Sequence, residues 1–316
     1  MHKKILTTLI GGIITLSTWA QQDASFSMYF FNPLYFNPAY AGSRGDLSGT
    51  LVHRSQWVGI NGAPSTQSVN VHGMIPDKKL GLGLQVYNDV IGPVKNTSFQ
   101  LSAAYHLPIG KEATLSFGLQ GSLNNLRIAF DQIKFDDQSD QAFINNNSSK
   151  LVPDANAGLY LYHPKYYVGL STTHLLQPKF GLANVPDDTP AKYFRHYYLS
   201  SGMIVKVNDK INFRPSVMLS YTQAAPVNVG VNASFIFYEK LFVGVGTRIS
   251  SRIGIAGIDD ELIFMAEYEI GNFMRVGYAF DAYLNPIGRN TFGTHEIMLG
   301  WDLYLTQTKM TSPRFF

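Results

Sequence analysis

Apolar and polar positions alternate with period two along most of this chain, and no segment holds a convincing helical repeat. Leu80, Leu82, Leu84 and Val86 alternate with Gly81, Gly83, Gln85 and Tyr87. Leu115, Phe117 and Leu119 alternate with Thr114, Ser116, Gly118 and Gln120. Leu262, Phe264, Ala266, Tyr268 and Ile270 share one face, and Glu267 and Glu269 take the other. Met274, Val276, Tyr278 and Phe280 oppose Arg275, Gly277, Ala279 and Asp281. Ile297, Leu299, Trp301, Leu303 and Leu305 oppose Met298, Gly300 and Asp302. A two-residue period marks strands whose two faces meet unlike surroundings. The pattern predicts fourteen strands, over residues 44–54, 65–75, 79–89, 94–107, 112–127, 153–162, 166–175, 193–206, 210–221, 227–238, 241–249, 259–270, 273–283 and 291–305.

Very short polar turns join these strands in pairs, at Pro76-Asp77-Lys78, Pro108-Ile109-Gly110-Lys111, His163-Pro164-Lys165, Asn208-Asp209, Glu239-Lys240 and Gly271-Asn272. Pro presets φ in such turns, and Asn, Asp and Gly tolerate left-handed backbone. Longer connections alternate with them, at residues 55–64, 128–152, 176–192, 250–260 and 284–290, with short links near 90–92 and 223–225. A soluble sandwich or propeller would turn one face of each strand to a dry core. An outer-membrane barrel turns one face to lipid and the other to its lumen. The even strand number and the alternation of short and longer links favour the barrel. Closure also satisfies the backbone hydrogen bonds, as lipid requires. The expected fold is all-β: a transmembrane antiparallel up-and-down β-barrel over residues 44–305, of about fourteen strands, with both termini periplasmic.

Composition sharpens this reading. Of 316 residues, 15% are charged, against about 25% in an average soluble domain. Phe and Tyr number 21 and 18, which suits the aromatic girdles of a barrel. The absence of cysteine excludes disulfide frameworks, zinc–thiolate sites and iron–sulfur clusters. Lys3 and Lys4, the apolar residues 5–16, and Thr18-Trp19-Ala20 before Gln21-Gln22-Asp23 follow the order of a secretory signal, expected over residues 1–20. That apolar run falls short of the roughly 20 residues a helix needs to cross a bilayer. Removing two lysines from 25 basic residues leaves 23 against 22 acidic ones, which argues against a nucleic-acid partner.

No catalytic motif is present. Gly81-Leu82-Gly83, Gly118-Leu119-Gln120-Gly121 and Gly244-Val245-Gly246 sit inside strands with no following helix, where glycine eases curvature and close packing. His295 and Glu296 are neighbours and so face opposite sides of a strand. Ser171 and His174, three apart in one predicted strand, should also face apart, leaving no hydrolase pair. Asp131, Asp136, Asp137 and Asp140 form an acidic cluster that lacks the ordered Gly and closing Glu of a calcium loop. No enzyme activity, cofactor or metal is expected. Arg127, Arg248, Glu267, Glu269, Arg275, Asp281 and Asp302 are assigned to polar strand faces. An Arg facing lipid at mid-bilayer would cost about 2–4 kcal/mol, so this set should line the lumen. Both signs occur together, which favours a salt-bridged interior over a selectivity lining.

Residues 21–43 do not read as a wall strand. Phe31-Asn32-Pro33 and Phe36-Asn37-Pro38 repeat five residues apart, and Pro removes ladder donors. Phe26, Tyr29, Phe30, Phe31, Tyr35, Phe36 and Tyr40 would not stay in water. The segment should either plug the lumen or dock on another protein.

These residues open an ordered series of motifs. Phe31-Asn32-Pro33 and Asn37-Pro38-Ala39-Tyr40-Ala41-Gly42-Ser43 are followed by Arg54-Ser55-Gln56-Trp57-Val58-Gly59, Gly62-Ala63-Pro64, His295-Glu296-Ile297 and Ser312-Pro313-Arg314-Phe315-Phe316. Together they resemble the PorP/SprF family of type IX secretion outer-membrane proteins, while residues 110–290 match only in strand rhythm. The resemblance implies an outer-membrane barrel serving secretion, surface attachment of cargo or gliding motility. It implies periplasmic partners, including an OmpA-like peptidoglycan-binding protein and a ring-forming lipoprotein–protein pair. For some members it implies a partner adhesin bearing a family-specific C-terminal domain. Phe31, Asn32, Pro33, Phe36, Asn37, Pro38, Tyr40, Arg54, Gln56, Trp57, Arg314, Phe315 and Phe316 are thereby candidates for the plug or for partner binding, with residues 306–316 as a tail. The competing reading is a passive outer-membrane transporter, a porin-like channel for small or apolar solutes.

Overall fold

The computed structural model describes residues 23–45, 47–76, 78–129, 148–180, 191–223, 225–252, 255–271, 273–284 and 286–303. The wall strands are β1 (Leu47–Ser55), β2 (Ser65–Met74), β3 (Leu80–Ile91), β4 (Val94–Ile109), β5 (Ala113–Ile128), β6 (Ser148–His163) and β7 (Tyr166–Thr173). They continue with β8 (His196–Met203), β9 (Ile211–Thr222), β10 (Val227–Phe237), β11 (Leu241–Arg252), β12 (Ile255–Ile270), β13 (Met274–Tyr283) and β14 (Thr294–Leu303). Each pairs antiparallel with its neighbours in sequence. β1 pairs with β14 from Leu47↔Leu303 to Ser55↔His295, so the sheet closes into a barrel. Closure leaves no unpaired edge, the condition for a sheet in hydrocarbon.

The orientation of the faces is what separates this barrel from a soluble β-protein. On β5, Ser116, Gln120, Ser122 and Asn124 point inward and are buried, while Phe117, Leu119 and Leu123 point outward. Leu119 is 68% exposed and Ser116 is 0%. The same inversion holds on β3, where Leu82 and Leu84 are exposed and Gln85 is buried. Its exterior belt of Leu, Val, Phe and Tyr matches the lipid-facing band of an outer-membrane barrel.

Two features of the strand plan differ from the sequence reading. The connection expected at residues 250–260 is absorbed into β11 and β12, whose ladder runs on to Arg252↔Ile255. It does so past a register shift between Arg248 and Ile249, and this bulge breaks the strict alternation that marks a strand in the sequence. The connection between β7 and β8 carries a small hairpin of its own, Lys179–Phe180 against Ala191–Lys192.

Both ends of the wall, Leu47 and Leu303, lie at the mouth formed by the short turns. Residues 23–45 do not stay there. They run through the lumen, with Gly42 against Gly81 near the short turns and Asp23 beside Thr173 and His174, where the long connections begin.

Candidate functional site: the filled lumen

The N-terminal segment folds as three short helical turns, Tyr29–Phe31, Pro33–Phe36 and Pro38–Tyr40. Pro33 and Pro38 each start a turn, where a missing N–H costs nothing. The Asn37 side chain accepts from the amide of Ala39 at 2.9 Å and so caps the last turn. Phe26, Tyr29, Phe30, Phe31, Leu34, Tyr35, Phe36 and Tyr40 are all buried. Their rings meet edge to face, Phe26 on Tyr35 at 4.7 Å and Phe30 on Phe31 at 4.5 Å, the arrangement aromatic quadrupoles favour. The guanidinium of Arg214 on β9 lies 4.0 Å from the Phe30 ring centre and 4.4 Å from that of Phe242, a desolvated cation–π contact.

The wall is shaped to receive this segment. A Cβ at Gly118 would collide with Pro38 and Ala39, and one at Gly158 with the Asn37 side chain. Asn37 donates to the Leu159 carbonyl at 2.8 Å, and Ser171 donates to the Phe36 carbonyl at 2.7 Å. Asn70 on β2 donates to Asn32 at 2.6 Å. Glycine in these strands is therefore the seat of the plug, more than a device for curvature.

Two ionic clusters tie the segment to the wall. Arg54 on β1 bonds to Asp281 at 2.7 Å, to Glu296 at 2.9 Å and to the Ser27 hydroxyl at 2.6 Å. Ser27 also donates its amide to Glu296 at 2.8 Å, and Arg248 pairs with Glu261 beside it at 3.1 Å. At the opposite mouth, Arg44 holds Asp302 through two 3.0 Å bonds, with Arg275 3.5 Å from the same carboxylate. A buried charge without such partners would be costly, and here each sign is matched within a few ångströms.

A third cluster holds the start of the segment. His174 Nδ1 lies 2.7 Å from Asp154 and Nε2 lies 2.9 Å from Asp23. Asp23 also accepts from Tyr198 at 3.1 Å and from Thr173 at 3.2 Å, with His196 3.7 Å away. Burial opposes charge on His174, but Asp23 and Asp154 outweigh it and lift the imidazole to about 10. Burial would likewise raise the Asp23 carboxyl, yet His196 and His174 hold it well below the usual carboxylate range.

Phe31, Asn32, Phe36, Asn37, Pro38 and Tyr40 are buried in the lumen and Pro33 nearly so. Arg248, Glu267, Glu269, Arg275, Asp281 and Asp302 lie on inward positions, and most join the clusters above. Arg54 is wholly enclosed, which removes it as a surface for partners. Gln56 and Trp57 lie at the rim, half-buried, where Trp57 has a left-handed φ of 47° and its amide reaches Thr294 at 3.2 Å. Arg127 departs from the expectation: it shares the outward parity of Leu119 and Leu123 and is exposed. It stands one residue from the end of β5, so its charge clears the middle of the lipid band. Ser171 and His174 also depart from the expectation of opposite facing. β7 ends at Thr173, and a φ of 56° at His174 turns its ring inward. Arg314, Phe315, Phe316, the predicted signal at residues 1–20 and the acidic cluster of Asp131, Asp136, Asp137 and Asp140 lie outside the described residues. Sequence reasoning missed Asp23, Ser27, Arg44, Asp154, His196 and Glu261. Of these, only Glu261 carried a signal, as one more acid on the inward parity of Glu267 and Glu269.

Among solved structures, the CymD monoaromatic hydrocarbon channel superposes with a TM-score of 0.51 at 11% identity, covering 86% of this chain and 93% of that one. Omp33 of Acinetobacter baumannii gives a TM-score of 0.47 at 11% identity, over 82% of this chain and 100% of its own. No curated protein matches the sequence. The likeness to CymD bears on the fold alone. The profile described as "Type IX secretion system membrane protein PorP/SprF" matches residues 18–301. A lipid-facing barrel whose N-terminal motif segment fills its own bore, matched over nearly its full length, this chain belongs to the PorP/SprF family.

Proposed function

We propose that this barrel is a non-conducting, non-enzymatic scaffold of the type IX secretion machinery that supports secretion or surface attachment of cargo proteins. The observation that carries this reading is the filled lumen. Among the described residues, the cavities found beside the plug are small, about 50 Å³ near Asp23 and about 10 Å³ near Tyr160. A wall that is sealed inside and coated with lipid outside has its rims left for partners. At the rim of the long connections, residues 56–64 brace against residues 291–293: Val58 donates to Gly293 at 2.9 Å and Phe292 donates to Val58 at 2.7 Å. Phe292 is 77% exposed there, with Ile60 and Leu284 also uncovered.

In this reading the chain is exported by a signal at residues 1–20, and the short-turn mouth and residues 306–316 face the periplasm. That side engages envelope components, an OmpA-like peptidoglycan-binding protein and the ring proteins among them. The long-connection rim faces outward and holds the C-terminal domain of a secreted cargo, such as a surface adhesin. Deletion of the gene should strip that cargo from the cell surface while its synthesis continues. Unchanged cargo display in the deletion strain would refute the role. The purified barrel should be silent in planar bilayers, and steady conductance would favour the porin-like alternative.

A further inference from the structure

The cluster at the start of the plug has the make-up of a metal centre. Asp23, His174 and His196 come from three separate parts of the chain, yet each offers one ligand atom within 4.8 Å of the others. They are the group of this kind found among the described residues. A tetrahedral zinc ion with ligands at about 2.0–2.2 Å needs them slightly more than 3 Å apart. His174 Nε2 and Asp23 Oδ1 are 2.9 Å apart, a hydrogen-bond distance that opens by a few tenths of an ångström to admit the ion.

The second feature is how the two imidazoles are held. A ligating histidine normally donates its other ring N–H to a carboxylate or a backbone carbonyl. Both do so here. His174 Nδ1 is 2.7 Å from Asp154, and His196 Nδ1 is 3.1 Å from the Phe194 carbonyl. His174 turns its Nε2 to the Asp23 carboxylate at 2.9 Å; His196 turns its Nε2 to the Asp23 amide and has its Nδ1 3.7 Å from the carboxylate. His196 Nε2 accepts from the Asp23 amide at 3.4 Å, a long hydrogen bond that a bound ion would replace. Stacking fixes the ring planes: Tyr193 lies 4.6 Å from His174 at 10°, and Tyr198 lies 6.2 Å from His196 at 12°. The cavity of about 50 Å³ lined by Asp23, Ala24, Ser25 and His196 adjoins the cluster. It has room for water as a remaining ligand.

We propose that Asp23, His174 and His196 form a two-histidine, one-carboxylate site for a divalent transition-metal ion, which fastens the start of the plug to the wall. Imidazole and carboxylate together suit zinc, and the ion takes the place of the proton between His174 Nε2 and Asp23. Asp154 and the Phe194 carbonyl act as positioning groups. The bound ion joins the N-terminal segment to the end of β7 and the start of β8, with β6 behind them through Asp154.

The test uses the full-length barrel purified in detergent, stripped with a chelator, loaded with zinc(II) and dialysed. About one zinc per chain should be retained, and the temperature at which the barrel unfolds should rise on loading. Asp154→Asn should keep the fold and weaken zinc binding about 10–100-fold, the usual effect of losing an orienting group. The double variant His174→Asn with His196→Asn should retain at least tenfold less zinc. No retained zinc and no thermal shift in the wild-type barrel would overturn the proposal, whatever the variants do. Equal zinc retention by the double variant would also overturn it, by placing the ion elsewhere.

Discussion

Arg54 of the first wall strand donates to the hydroxyl of Ser27 in the plug at 2.6 Å, and the same guanidinium holds Asp281 and Glu296. None of the three side chains of the ion pairs is appreciably exposed. Replacing Arg54 by Met would leave the buried Asp281 and Glu296 carboxylates without the guanidinium that bonds both. Loss of one partner of a buried pair costs about 3–5 kcal/mol. Arg54→Met should therefore lower sharply the temperature at which the barrel loses its fast-migrating folded form on SDS gels. Ser27→Ala, which removes one hydroxyl, should lower it less, in line with about 1–3 kcal/mol.

Gly118 seats the backbone of Pro38 and Ala39. Gly118→Val should push the segment off the wall. The natural chain has no cysteine, so Ala39→Cys provides a single probe at a position that is fully buried. A water-soluble maleimide should leave that cysteine unlabelled in the otherwise native barrel and label it once Val is present at 118. Equal protection in both would mean that the glycine is not needed for seating.

Removing residues 24–44 should unblock the bore. The truncated barrel should carry ions across a planar bilayer where the intact one carries none. A barrel that stays silent after this truncation would show that something other than the plug closes it.

The outward parity of β5 makes a paired prediction. Leu119→Arg should destabilise the barrel by about 2–4 kcal/mol, the cost of a cation in mid-bilayer. Arg127→Ala, near the strand end, should stay within about 0.5 kcal/mol of the parent, as surface changes usually do. Refolding yield into lipid vesicles over a urea series would rank the two.

The architecture was readable because lipid and lumen impose opposite demands on consecutive residues, and each strand repeats that contrast. Arg127 shows how the same signal can be misassigned. Assigned to a polar face, it in fact has the outward parity of Leu119 and Leu123, and the strand end escapes the cost of charge in lipid. The Asp23 cluster was beyond reach for a different reason. His174 is 20 residues from Asp154 and 151 from Asp23, and nothing local ties them together. Its inward turn comes from a left-handed residue just past the strand, which periodicity does not encode. For Ser27 and Arg44 the acidic partners lie more than 250 residues away, and only barrel closure brings them near.

That closure has a temporal side. Ser27 and Arg44 take hold of Glu296 and Asp302, both on β14, the strand that closes the wall against β1 and is made after the other thirteen. The greasy leading segment therefore has no complete berth until β14 is in place, and sealing the bore and finishing the wall become a single event. A polypeptide cut short before Thr294 would lack the Glu296 and Asp302 carboxylates that hold its aromatic leading segment in the bore.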